Sequence, residues 1–179
     1  MPKKIIMAVG LIVALAATGQ SFQDESGPVL KEVEPFAYCA LEHTGPLSDV
    51  SAVIGQLIEE MQDQNVFSTI RGPMVGVYPL DAMTANPEEL TWEIGFIVTA
   101  QAEPLAPLMK KVWDYPTVAS IVHIGPYQSV GGTIDRLMAW MKDQGCVANG
   151  PLMERYLNNP LQVKPEELKT EIWIPCEKE

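Results

Sequence analysis

Near the C-terminal end of the chain, Glu171 and Trp173 stand two residues apart in Thr170-Glu171-Ile172-Trp173-Ile174-Pro175. Thr170, Ile172 and Ile174 alternate with Glu171, Trp173 and Pro175, which is the period of a strand, so the carboxylate and the indole share one face. That pair suits a flat or cationic organic molecule. A carboxylate partly removed from water is costly unless a positive or hydrogen-bonding group meets it, so it selects for cations. An aromatic face adds about 0.5 to 2 kcal/mol toward the same charge. Taken alone, the stretch also fits an exposed edge strand with a surface glutamate.

The stretch occurs twice. Pro87-Glu88-Glu89-Leu90, followed by Glu93 and Ile94, matches Pro165-Glu166-Glu167-Leu168, followed by Glu171 and Ile172, at one spacing of 78, which makes Glu93 the counterpart of Glu171. His123-Ile124-Gly125-Pro126-Tyr127 lies over His43-Thr44-Gly45-Pro46-Leu47 at a spacing of 80. Val130, Ile134, Leu137 and Met141 repeat the helical spacing of Val50, Ile54, Leu57 and Met61. Gly150-Pro151 and Tyr156 match Gly72-Pro73 and Tyr78 at 78 again, so the small gap falls in a loop, as it does in a real duplication.

Each copy reads as strand, helix, strand, strand. Asp49 and Ser129 are placed to cap the helices, and Asn65 and Gly145 suit the left-handed stop position. The expected fold is α+β: two tandem strand-helix-strand-strand repeats related by a pseudo-twofold axis, with antiparallel curved sheets, helices outside and a central cleft. Repeat one spans 29–99, an Ala- and Pro-rich linker 100–114, and repeat two 115–176. Glu93 and Glu171 then approach the cleft from opposite sides, and Gly95, in the place of Trp173, leaves room on one wall. Tyr127, directly after Gly-Pro, belongs at the rim. Tyr156 either offers a ring face to the cleft or packs in the core.

The chain has 179 residues, 47% of them apolar and 20% charged, enough for one domain. Its net charge of -11 argues against a nucleic-acid-binding surface, which needs clustered Lys and Arg. Met1-Pro2-Lys3-Lys4 is basic, Ile5 to Ala17 is apolar, and small residues follow, so 1–19 reads as a secretory signal peptide and 20–28 as a short tether. No cysteine precedes Cys39, which counts against lipid attachment. Export to the periplasm or outside is expected, with membrane contact only through the leader before cleavage. In that oxidising setting Cys39, Cys146 and Cys176 could bond as any one pair, but their irregular spacing favours free, buried cysteines. His43 and His123 each end a strand before Gly-Pro and lack ligand-spaced partners, so they read as structural and no metal or cofactor is called for.

His123-x-Gly-Pro-Tyr127, then a helix, then Gly150-Pro151-x-x-Glu154-x-Tyr156-Leu157, then Glu171-Ile172-Trp173-Ile174-Pro175, resembles the GyrI-like effector-binding domain, the module also found in AraC- and MerR-type drug-sensing regulators. The resemblance covers about Val29 to Cys176. It implies a cleft between two repeats that recognises hydrophobic, often cationic, compounds through an acid surrounded by aromatics, and it carries the family's pocket glutamate onto Glu171.

No helix-turn-helix segment stands before the domain, which counts against a transcription factor. The reading is therefore an exported binder of a small hydrophobic or cationic molecule, with Glu171, Trp173, Tyr127, Tyr156 and Glu93 as ligand-binding residues. Two alternatives stay open. One is a hydrolase of cyclopropane-type compounds, an activity that the resemblance implies, with Glu171 aiding water. The other is an envelope adaptor. The oligomeric state is not legible.

Overall fold

In a computed structural model, residues 27–82 and 84–178 are described, so the expected leader and most of the tether lie outside the described residues. The repeats appear as read. The first comprises β2 (Phe36–Thr44), α1 (Val50–Asp63), β3 (Ile70–Tyr78) and β4 (Thr91–Val98); the second comprises β6 (Thr117–Ile124), α2 (Val130–Asp143), β8 (Leu152–Tyr156) and β9 (Lys169–Lys178). Val53, Leu57, Ile58 and Met61 form the buried stripe of α1, as Thr133, Leu137 and Met141 do in α2. Asn65 (φ 56°) and Gly145 (φ 63°) are left-handed where the helices stop.

Neither expected cap is one. The Asp49 carboxylate lies 3.0 Å from His43 Nε2 instead, and Ser129 Oγ donates to the Pro126 carbonyl at 2.7 Å. Both side chains are drawn back to the strand-end turn by the histidine that precedes it.

Three short strands extend the scheme: β1 (Val29–Glu32), β5 (Met109–Trp113), which lies inside the expected linker, and β7 (Cys146–Ala148). Together the nine strands form one curved, antiparallel sheet in the order β1-β6-β9-β8-β3-β4-β2-β5, with β7 beside β9. The edge strands are exchanged. β1 opens repeat one but pairs with β6 of repeat two, and β5 precedes repeat two but pairs with β2 of repeat one. Each repeat thus completes the other's sheet.

Strand alternation divides the apolar residues between two faces. One face carries Cys39, Leu41, Trp92, Ile94, Ile121, Ile172 and the helix stripes. The other carries Tyr38, Val75, Trp113, Val118, Met153 and Trp173, a second cluster without a helix. Phe36 of β2 meets Trp173 of β9 with ring centroids 6.2 Å apart, although four steps of the sheet order separate the two strands. The sheet therefore curls around that second cluster and fills it. Gly95 leaves no room there: a Cβ on it would sit 2.3 Å from the Cys39 carbonyl and 2.7 Å from Ala40 Cβ, so glycine is what lets β4 and β2 approach. On the first face α1 packs chiefly on β2 and β4, and α2 on β6 and β7. The central ribbon of β3 and β8 is left between the helices.

Candidate functional site

β3 and β8 pair with Met74 opposite Tyr156, Gly76 opposite Glu154 and Tyr78 opposite Leu152. Tyr156 is the counterpart of Tyr78 in the duplication, so Glu154 is the counterpart of Gly76, and the pseudo-twofold axis passes between Gly76 and Glu154. Alternation sends Gly76, Tyr78, Glu154 and Tyr156 to the helix-bearing face.

The axis brings the two tyrosines together. Their hydroxyl oxygens are 3.0 Å apart, and Tyr156 donates to Glu154 Oε2 at 2.9 Å. A hydroxyl has one proton, so Tyr78 must be the donor to Tyr156, and the chain runs from Tyr78 through Tyr156 to Glu154. Gly76 is the reason the rings fit: a Cβ there would lie 2.5 Å from the Tyr78 hydroxyl. Tyr127, half-buried at the start of the turn before α2, stands edge-on to Tyr156 with centroids 5.6 Å apart. Trp92, pinned by its Nε1 donating to the Gly45 carbonyl at 2.9 Å, leans on Tyr78 at 6.3 Å and on His43 at 4.9 Å.

Burial pushes the Glu154 carboxyl above the usual carboxylate range, against the opposing pull of the Tyr156 hydrogen bond. Burial likewise raises the hydroxyls of Tyr156, Tyr78 and Tyr127, with the Glu154 charge adding to each. Among the described residues, no basic side chain is within ion-pair distance of Glu154.

The two strand glutamates singled out from sequence are already neutralised. Glu171, 4% exposed, pairs with Lys31 and Arg155 and accepts from Ser120 Oγ at 3.0 Å. Burial alone would raise its carboxyl, but Arg155 and Lys31 hold it below the usual range. Glu93 pairs with Lys111 and accepts from the Tyr38 hydroxyl at 2.9 Å. Lys31 and Lys111 are themselves counterparts 80 residues apart, each on an exchanged edge strand, so the two ion pairs tie the exchange in place. Trp173 also has its cation, the Arg155 guanidinium 4.1 Å above the ring.

Of the residues picked out from sequence, the structure brings Tyr127 and Tyr156 together. It places Glu171, Trp173 and Glu93 on the opposite face, in the curled interior of the sheet. Glu154, Tyr78 and Trp92 join the tyrosines instead. Sequence reasoning passed over Glu154, although its signal was present: Glu154 and Tyr156 share a strand face at a spacing of two, and the repeat comparison sets Tyr156 over Tyr78. Among the described residues no group of three or more His, Cys, Asp or Glu is placed to hold a metal ion.

Comparison with known proteins agrees with the fold. The C-terminal domain of EcmrR superimposes with a TM-score of 0.73 at 20% identity, covering 85% of this chain and 98% of that one. A hydrolase from Listeria innocua gives 0.64 at 13%, covering 84% and 92%. SAV2435, solved bound to tetraphenylphosphonium, gives 0.60 at 14%, covering 85% and 94%. At these identities the likeness concerns the fold. No curated protein sequence matches the chain. The model of the GyrI-like small molecule binding domain matches residues 27–177, and the chain, whose two repeats meet at a central strand pair as described, belongs to that family.

Proposed function

We propose that this protein is an exported binder of amphipathic organic cations, which it holds over the central ribbon with Glu154 as the counter-charge and Tyr78, Tyr156, Tyr127 and Trp92 as the aromatic surround. The observation that carries this reading is an asymmetry among three strand glutamates. Glu93 and Glu171 have lysine or arginine partners, while Glu154 is half-buried among tyrosines and, among the described residues, has only the Tyr156 hydroxyl. A carboxylate partly withdrawn from water and held that way gains most from a cation brought by a ligand. The tetraphenylphosphonium complex of SAV2435 is a precedent for that ligand class on this fold. The signal-like residues 1–19 support action in the periplasm or outside the cell.

The test is calorimetric titration of the protein lacking residues 1–19 with tetraphenylphosphonium and with a neutral arene of similar size. Glu154→Gln should weaken the cation at least about tenfold, a loss of roughly 1.4 kcal/mol, and leave the neutral compound nearly unchanged. Equal loss for both compounds, or none for either, would remove Glu154 from the site.

A second reading rests on the same chain of groups. A carboxyl raised by burial and linked through Tyr156 to Tyr78 is suited to take a proton from an attacking water, as a general base working near neutral pH does. A hydrolase from Listeria innocua shares the fold. Turnover of a strained electrophile, abolished by Glu154→Gln while affinity for product persists, would favour this reading over simple binding.

A further inference from the structure

Cys146 and Cys176 are far apart in sequence and meet at one end of the sheet. Cys146 opens β7 just after the left-handed Gly145 that stops α2, and Cys176 lies near the end of β9. In the β7–β9 ladder Ala148 faces Cys176 and Cys146 faces Lys178, so the two cysteines sit diagonally, two residues apart across the ladder and on the same face. The Cys146 thiol itself donates to the Gln144 carbonyl at 3.9 Å. Both line a hollow of about 440 Å³, walled also by Leu30, Tyr115, Asn149 and Lys178. All three cysteines are free and buried, but Cys39 lies apart from this pair. It is 0% exposed on β2 beneath the helix face, its thiol is pushed up to about 11 by burial, and it is not among the residues that line the hollow.

We propose that Cys146 and Cys176 are a dithiol–disulfide pair, a site of reversible oxidation that faces the hollow and takes a small disulfide such as oxidised glutathione as its oxidant. One protein thiol, as its thiolate, attacks a sulfur of the small disulfide; a mixed disulfide forms and one small thiol leaves. The second protein thiol then attacks the protein sulfur of that intermediate, closing the Cys146–Cys176 bond and releasing the second small thiol. Two electrons and two protons pass from the protein dithiol to the small disulfide, which becomes two thiols. The hollow supplies access, and the diagonal placement supplies the resolving partner. The bond would tie the strand that follows α2 to the strand that ends the fold. Diagonal ladder positions, about 7–8 Å apart, are wider than an unstrained disulfide spans, so closing the bond draws β7 and the end of β9 together, and that favours a bond that can be reduced again. The chemistry needs only this oxidant class and stands apart from the ligand-binding reading.

The test uses the full chain, reduced, then incubated with oxidised glutathione, denatured, alkylated and measured by intact mass and peptide mapping. The expected product has lost two hydrogens, takes up one alkyl group, at Cys39, and gives one cross-linked peptide pair holding Cys146 and Cys176. Dithiothreitol returns it to three alkylatable thiols. Its Tm should exceed that of the reduced form by roughly 5–10 °C, since the bond closes a loop of about 30 residues. In Cys146→Ser the second attack is impossible, so a glutathione adduct should accumulate on Cys176. Three alkylatable thiols after oxidation, a bond that includes Cys39, or a stable glutathione adduct on the unmodified sequence would each overturn the proposal.

Discussion

Glu154 faces Gly76 directly across the β3–β8 ladder, and the pseudo-twofold axis of the duplication runs between them. Any residue pair at that position occupies the middle of the sheet, and here one copy carries a carboxylate while the other carries no side chain at all. One charge, not two, therefore stands at the centre, and the missing side chain leaves room for the Tyr78 ring. Four predictions follow from this asymmetry and from the ion pairs on the opposite face.

Glu154→Gln and Glu171→Gln should part company in stability. Removing the unpaired, half-buried charge at Glu154 should leave Tm at neutral pH unchanged or higher. Neutralising Glu171 strands Arg155 and Lys31 and should cost about 3 kcal/mol, reduced to the extent that Lys31 remains in solvent. Urea unfolding of the two variants side by side would show this, and a larger loss for Glu154→Gln would contradict the assignment.

Affinity for a permanent cation should rise with pH through the elevated range of Glu154, because only the ionised form attracts it. Stability should respond with opposite signs at the two carboxyls. Glu154, raised in the folded state, contributes stability below its unfolded pKa that is lost as pH climbs through its folded value. Glu171, lowered in the folded state, contributes above its unfolded pKa and loses that as pH falls through its folded value. Titration calorimetry at several pH values checks the first statement, and Tm against pH for each Gln variant checks the second. A flat binding profile from acid to neutral pH would argue against a titrating carboxylate at the site.

Gly76→Ala should displace the Tyr78 ring, since the added Cβ would stand 2.5 Å from its hydroxyl. Overpacking of this kind costs about 1–3 kcal/mol. Cation binding should weaken along with it, and a variant with parental Tm and parental affinity would mean that the ring can relocate freely.

Tyr156→Phe removes the donor to Glu154 and the acceptor for Tyr78, at a cost of about 1 kcal/mol in stability. The lost hydrogen bond was holding the Glu154 carboxyl down, so the pH midpoint for cation binding should move upward. A midpoint that stays in place would show that the hydroxyl does not tune the acid.

Most of the architecture was legible because duplication supplies two independent copies of each signal. The left-handed stops at Asn65 and Gly145, the buried helix stripes and the Gly-Pro turns all recur. The short strands β1, β5 and β7 were not legible. Each has three to five residues, and β5 sits in the segment read as a linker, so only pairing with a distant strand makes each of them a strand. The candidate site was only partly legible for a related reason. A search for matched acids finds Glu93 and Glu171, which symmetry places alike, whereas the residue at the axis is matched to a glycine and escapes that comparison. Alternation alone sets Glu154 apart from Glu171, on opposite faces. Which face lies open is decided by where α1 and α2 pack, and that is a tertiary fact.

The exchange of β1 and β5 makes the two repeats mutually dependent as physical bodies. A fragment ending before β5 would carry β1 with no β6 to receive it and would expose β2 along the border that β5 covers. A single backbone cut between β4 and β5, by contrast, would leave two pieces that each clasp a ribbon of the other. The duplication has produced an interlocked whole, and a lone half is not a viable ancestor of this form unless two copies once embraced in the same way.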